Sequence, residues 1–373
     1  MKIRRIEPIA VSLPLRKPVH MAGVELRTAE NALVRIEADD GTTGWGEAAA
    51  APTMTGETVE GMLAAVHHLA PALIGRPADD IAGALAAMRM RMYGNNAAKA
   101  AIEIALHDLV GRATGTPVHA LLGGKRRDCI ALLGVISNGE VDADLRDAER
   151  LQADNFEAFK IKVGVARPLA DAERTRQLCA FIGGGVLISS DANQGWSTEE
   201  AVSYARGVAG SGLDFFEQPV LAEDICGMAA VAAAADCAIG ADEGIHGLDD
   251  IRRHHAGKAA RGVSLKAIKL GGLRGVRAAG ELCEELGMAV NVACKTGESS
   301  IACAAALHVA AALPRLDWAL SLTAAGLADD LTGEPVRGTR GHVEVGDRPG
   351  LGIEVDEERV RRYRRDVRIG EPA

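Results

Sequence analysis

Three acids, Asp191, Glu217 and Asp242, stand 26 and 25 residues apart, and each closes a short apolar run that reads as a β-strand. Lys162 ends an earlier run 29 residues before the first acid, and Lys266 ends a later run 24 residues after the last. Two amines therefore bracket an acidic trio. Carboxylates that converge without a cation repel one another and raise their own pKa values, so the trio calls for a metal. Oxygen-only ligands select a hard divalent ion, Mg²⁺ first and Mn²⁺ second. In Phe159-Lys160-Ile161-Lys162 the alternation puts both lysines on one strand face. Two partly desolvated ammonium groups so close are expected to depress each other's pKa and make a lysine available as a base. With Lys266 opposite, one amine can take a proton α to a carboxylate and another can return one. The metal's part is to stabilise the charge of the enediolate between these steps.

The elements that must hold these residues follow from the text. From about residue 129, eight apolar runs alternate with helical segments: IALLGVIS, EAFKIKV, VLISSD, LDFFEQ, AIGAD, GVSLKAI, MAVNVAC and LDWALSL. Their ends fall near 137, 162, 191, 217, 242, 266, 294 and 321, an interval of roughly 25 residues that suits one strand, one helix and two loops. The expected fold is α/β, a closed (β/α) barrel, whose strand C-termini gather in one pocket. An open doubly wound sheet would want an early glycine-rich phosphate loop, and no G-x-G-x-x-G opens a helix after the first run. Before the barrel, RRIEPIAVSL, ALVRIEAD, the turn Asp40-Gly41 and TTGWGEA read as antiparallel strands, followed by helical text broken at Gly94-Asn95-Asn96. The expected division is an α+β capping domain at 1–125, the barrel at 126–340 and a segment at 341–373 that returns to the cap.

Composition narrows the function classes. Hydrophobic residues are 48% of 373, and no run of eighteen uncharged apolar residues exists to span a bilayer. A net charge of −9, scattered along the chain, argues against nucleic-acid and anionic-membrane partners. The seven cysteines lack paired spacing and read as reduced, mostly core thiols. MKIRRIEPIAV reads as a first strand and not a signal peptide, so a cytoplasmic protein is expected. His67-His68 and His254-His255 lie in helical text and read as surface residues.

ALHDLVGRATGTPVHALLGG, KIK, DANQGW, EQP, ADEG and SLKAIKLGGL occur in an order and spacing that resembles the mandelate racemase and muconate lactonizing enzyme family of the enolase superfamily. That superfamily uses a Lys or His base with Mg²⁺. The resemblance implies a modified (β/α)7β barrel, Asp191, Glu217 and Asp242 as metal ligands, and Lys162 and Lys266 as acid/base catalysts, with Lys160 an electrostatic helper. A lysine on each side resembles the muconate lactonizing subgroup. It implies an isomerase, either a racemase or epimerase or a cycloisomerase, acting on a small carboxylate. The alternative is a dehydratase of a hydroxy acid or hydroxylated amino acid by the same enediolate route. The resemblance also implies a homo-oligomer, and cap loops at 20–26, with His20, and 49–55 that select substrate. Asn193 and Glu243, beside the acids, are candidates to orient substrate or a lysine. Two departures stand out. The eighth run ends at Leu320 and Ser321, where cycloisomerases often carry Glu and dipeptide epimerases Asp-x-Asp, and Lys295 stands where a neutral residue is usual. Lys295 is expected to add positive charge near the distal end of the substrate, favouring a second anionic group.

Overall fold

The computed structural model describes residues 1–21 and 24–365, apart from the side chains of residues 20–25. Three antiparallel strands open the chain: β1 (Ile3–Met21), β2 (Val24–Ala38) and β3 (Thr43–Ala49), in spatial order β1-β2-β3. Helices α1 (Val59–Leu69), α2 (Ile81–Arg91) and α3 (Asn96–Thr114) pack against them around a core of their own. The stretch Ala97–Gly111 of α3 is buried all round, as expected of a helix wedged between two layers. That wedge needs glycine on the facing strand. A Cβ at Gly46 would stand 2.0 Å from the Ala101 carbonyl oxygen, and one at Gly44 2.3 Å from that of Ala105.

After the short α4 (Val118–Leu121) and strand β4 (Cys129–Ala131), β5 (Leu133–Ile136) starts the barrel. The repeat runs α5 (Val141–Ala153), β6 (Ala158–Lys162), α6 (Pro168–Ile182), β7 (Leu187–Asp191), α7 (Thr198–Gly207), β8 (Phe215–Glu217), α8 (Ile225–Ala234), β9 (Ala238–Ala241) and α9 (Leu248–Ala256). It continues with β10 (Gly262–Leu265), α10 (Ala267–Leu270), α11 (Leu273–Leu286), β11 (Ala289–Ala293), α12 (Ser300–Ala312) and β12 (Leu320–Ser321). The eight strands from β5 to β12 are parallel neighbours in sequence order, and a Leu132–Leu320 bridge brings the two ends of the sheet together. Alternation gives each strand two faces. Val263 and Leu265, or Val290 and Val292, join the core shared with the helices, while Ser264 and Asn291 are buried on the other side. No helix of the described residues is long and apolar enough to cross a membrane.

Two expectations need correction. IALLGVIS is not one strand: the chain divides at Leu132, and β4 pairs antiparallel with β13 (His342–Glu344) instead of entering the barrel. His254 is buried and not a surface residue, because its face of α9 is the apolar one carrying Ile251; its Nδ1 lies 2.8 Å from the Asp250 carbonyl. After β13, α13 (Glu357–Tyr363) lies against β1, and Arg365 N donates to Ala10 O.

Candidate active site

The mouth of the barrel is built by strand register. Lys162 pairs with Asp191 and Asp191 with Glu217, so three consecutive strand ends carry functional side chains at one level. Glu217 pairs with Gly240, which puts Asp242 two residues further on, and Gly240 pairs with Gly262, which places Lys266 beyond Ser264 on the same inward face. Strands β6 and β10 have three strands between them on either path round the ring, so Lys162 and Lys266 face each other across the mouth. Loop residues Asn193, Gln194 and Gln218 adopt left-handed φ values of 42°, 68° and 34°, strain of the kind stored at sites. Gln218 uses it well: its Oε1 accepts from the amides of Asp242 and Gly244, at 2.9 and 3.2 Å. Arg174 steadies the other side, donating to the Lys162 carbonyl at 2.6 Å.

Every acid of the trio is 1% exposed and held by ammonium groups. Lys160 Nζ lies 2.5 Å from Glu217 and 3.7 Å from Asp191, Lys162 lies 2.6 Å from Asp191, and Lys266 donates to Asp242 Oδ2. Lys269 donates to Asp242 Oδ1 at 2.6 Å, to the Asp242 carbonyl, and to Ser264 O at 3.0 Å. Sequence reasoning missed Lys269 and Gln218. A signal existed for the lysine, since it follows Lys266 by one helical turn in Lys-Ala-Ile-Lys and so shares its face.

The electrostatics depart from the expectation of mutually depressed lysines. Burial pushes Lys160 down, but the charges of Glu217 and Asp191 outweigh it and hold the amine above its ordinary range. Lys266 is likewise held up, against burial, by Asp242. Asp191 and Asp242 are lowered despite burial by their lysines, whereas burial leaves Glu217 raised. Beside them, burial and the charge of Asp242 push Glu243 up to about 7. A relay links it to the mouth: Lys162 Nζ donates to Asn193 Oδ1 at 2.6 Å, and Asn193 Nδ2 donates to Glu243 Oε1 at 3.0 Å.

The donor set suits a hard cation: buried carboxylate oxygens on neighbouring strand ends, with a further buried oxygen, Glu243 Oε2, left without a partner. Among the described residues, no three His, Cys, Asp or Glu side chains already stand in a metal-holding arrangement, and lysines cover the acids instead. The remaining candidates divide. Lys295 joins the group, 7% exposed at the end of β11, and its amine feels the charges of Lys266 and Lys162. The side chain of His20 lies outside the described residues.

The fold is a (β/α) barrel whose mouth gathers buried carboxylates and lysines. Residues 5–123 match the mandelate racemase / muconate lactonizing enzyme N-terminal domain, and residues 143–359 match the enolase C-terminal domain-like family. The chain belongs to the mandelate racemase and muconate lactonizing enzyme family of the enolase superfamily. It is 33% identical over 362 residues to L-Ala-D/L-Glu epimerase of Bacillus subtilis strain 168, covering 95% of this chain and 97% of that one. Muconate lactonizing enzyme from Pseudomonas fluorescens, solved with muconolactone, superposes with a TM-score of 0.93 at 29% identity, covering 98% and 99% of the two chains. N-succinyl Arg/Lys racemase from Bacillus cereus ATCC 14579 superposes with a TM-score of 0.92 at 29% identity, over 98% of each chain. These relatives are isomerases, and enzymes of the family are generally metal-dependent.

Proposed function

We propose that this enzyme removes the proton α to a carboxylate and completes an isomerisation through an enediolate. The observation that carries the reading is the opposition of Lys162 and Lys266 across an acid-lined mouth. Asp191, Glu217 and Asp242 would hold Mg²⁺, or Mn²⁺ in its place, which supplies charge stabilisation for the substrate carboxylate. Lys162 and Lys266 exchange the roles of base and acid with the handedness of the substrate, one taking the α-proton and the other returning a proton to the opposite face. Lys160, held between Glu217 and Asp191, keeps a fixed positive charge beside the carboxylate. Asn193 and Glu243 set the direction of the Lys162 amine through their hydrogen bonds.

Racemisation and epimerisation use both transfers, and cycloisomerisation shares the enediolate and one of them; all three occur in the names of the relatives. We take the chain to divide into a cap at 1–125, a barrel at 126–340 and a returning segment at 341–373, with cap loops 20–26 and 49–55 selecting the substrate. We further take the enzyme to be a cytoplasmic homo-oligomer.

The test is incorporation of solvent deuterium at the α-carbon of amino acids, N-acylated and betaine derivatives, dipeptides and muconates, with Mg²⁺ present. Lys162→Ala and Lys266→Ala should each abolish turnover, by roughly a thousandfold or more, while one variant still exchanges the α-proton of a single enantiomer. Full turnover in either variant contradicts the assignment.

A further inference from the structure

Away from the mouth lies a cavity of about 590 Å³, between α2, α3 and α4 on one side and the starts of α9 and α11 on the other. That volume is within the range of ligand pockets. Its floor is apolar, laid by Leu85, Leu122, Leu248 and Leu270, and around the floor stand Arg89, Lys99, Arg274 and Arg277 with a single carboxylate, Glu281. In a chain whose net charge is −9, four cations around one cavity run against the general balance. None of Lys162, Asp191, Glu217, Asp242 and Lys266 lines it. It stands behind the mouth: Asn96 on its wall donates to the Lys269 carbonyl at 2.6 Å, and the Lys269 amine reaches Asp242 on the inner side.

The partners of the four cations divide them. Arg277 is engaged, its Nε donating to Glu281 at 2.9 Å. Among the described residues, the guanidinium groups of Arg89 and Arg274 have neither a hydrogen-bond nor an ion-pair partner. Lys99 lies deeper, 6% exposed, and its amine donates to the Met92 carbonyl at 2.5 Å and to no carboxylate. Glu57, whose charge Lys99 feels, turns its oxygens to the amides of Ala97 and Ala98, at 2.9 and 3.2 Å. Burial lowers the Lys99 amine, and the charge of Arg89 adds to that lowering. Three cations without acid partners therefore converge from α2, α3 and α11 on one space, and they repel one another until an anion enters. Guanidinium forks match the oxygens of a phosphoryl group two at a time, and a leucine floor takes an apolar body.

We propose that this cavity binds a small organic phosphate, with the phosphoryl group among Arg89, Lys99 and Arg274 and the apolar body on the leucines. The site is separate from the mouth, and its occupation requires neither Mg²⁺ nor the chemistry of the two opposed lysines. Doubly charged oxygens on one small group meet three donors of fixed charge, one of them buried, where a single carboxylate would leave cations unmatched.

The experiment titrates the Mg²⁺-loaded enzyme with 1-naphthyl phosphate in a calorimeter, beside inorganic phosphate and 1-naphthol, which each carry half of the proposed ligand. One molecule of 1-naphthyl phosphate per chain should bind at least about tenfold more tightly than either half, and more weakly as salt is added. Arg89→Gln and Arg274→Gln should each weaken it by about tenfold, the loss of one charge-assisted contact. Both side chains are exposed and unpartnered, so the folded state should survive their replacement, which a thermal scan checks. Glu217→Gln, a change at the mouth, should leave the affinity as it is. No binding of 1-naphthyl phosphate at millimolar concentration overturns the proposal. Binding that is unchanged in both arginine variants, or lost in Glu217→Gln, also overturns it, the second by placing the ligand in the mouth. If instead the arginine variants break up an assembly of chains that binds no probe, the cavity is an interface between copies and the proposal falls.

Discussion

Among the buried carboxylates of this molecule, those of two regions differ in their partners. At the mouth, Asp191, Glu217 and Asp242 are held by lysine side chains. At the seam between cap and barrel they are tied chiefly to backbone amides, with Arg112 also donating to Asp108 and His107 lying 3.4 Å from Glu103. Glu47 of β3 accepts from the amides of Ser299 and Ala302, the hydroxyl of Ser299 and the side-chain amide of Asn31, closing the N-terminus of α12. Glu103 of α3 accepts from Leu273 and Arg274 at the start of α11, and Asp108 from Trp45 and Leu351. An acid at a helix N-terminus satisfies orphan donors and meets the positive end of the dipole. Such a contact ends only if the helix moves. A lysine can swing away by changing rotamer, so the mouth acids are available to a cation while the seam acids are committed. Burial of a carboxylate is thus no mark of function until its partner is known.

The largest effect expected from this contrast is on activity. Glu217→Gln should lower kcat/KM by at least about a thousandfold, because it removes charge where a cation and a carboxylate substrate must meet. Mg²⁺ should raise the melting temperature of the unsubstituted enzyme, and Glu217→Gln should remove that rise. Binding to the folded state at a hundred times the dissociation constant stabilises by about 2.7 kcal/mol, which a thermal scan resolves. A Mg²⁺-induced rise that survives Glu217→Gln would break the comparison at its mouth end.

The seam should respond the other way. Glu47→Gln puts an amide where several donors now meet two oxygens, leaving at least one buried amide unpaired at a cost of about 1 to 3 kcal/mol. The melting temperature should fall by several degrees while the shift given by Mg²⁺ persists. Loss of that shift without a fall in stability would show that Glu47 belongs with the mouth.

The same contrast explains what could be read in advance. Strand ends expected near 162, 191, 217 and 321 fall at Lys162, Asp191, Glu217 and Ser321, since period-two apolar runs bounded by helical text are local signals. The mouth was legible because a barrel converts even spacing into proximity. What makes the seam was not, because Glu47 and Ser299 are 252 residues apart and only the docking of cap on barrel brings them together. The division of IALLGVIS at Leu132 was hidden for the same reason, as the partner of β4 lies beyond residue 340. The lysine pKa expectation failed differently. It weighed the two amines of Lys-x-Lys against each other and left out the acids that the neighbouring strands bring to them.

Glu298 tests the boundary between the regions and carries the smallest expected effect. It stands in the loop between β11 and α12 that carries Lys295, a mouth position, yet it accepts a backbone amide as the seam acids do. Burial, then the charge of Glu47, pushes it up to about 7 from an ordinary value of 4.5. A buried acid raised in this way favours its protonated form in the folded state. Its contribution is therefore fully present below about pH 4.5 and is lost as the pH rises through 7, the reverse of a salt-bridged carboxylate. A shift of that size amounts to about 3 kcal/mol at most. Glu298→Gln stays neutral, so its stability relative to the unsubstituted enzyme should increase between pH 5 and pH 8 in denaturant titrations. A difference that stays flat over that range would mean that Glu298 titrates as an ordinary acid and that the boundary lies at Ser299, the N-cap of α12.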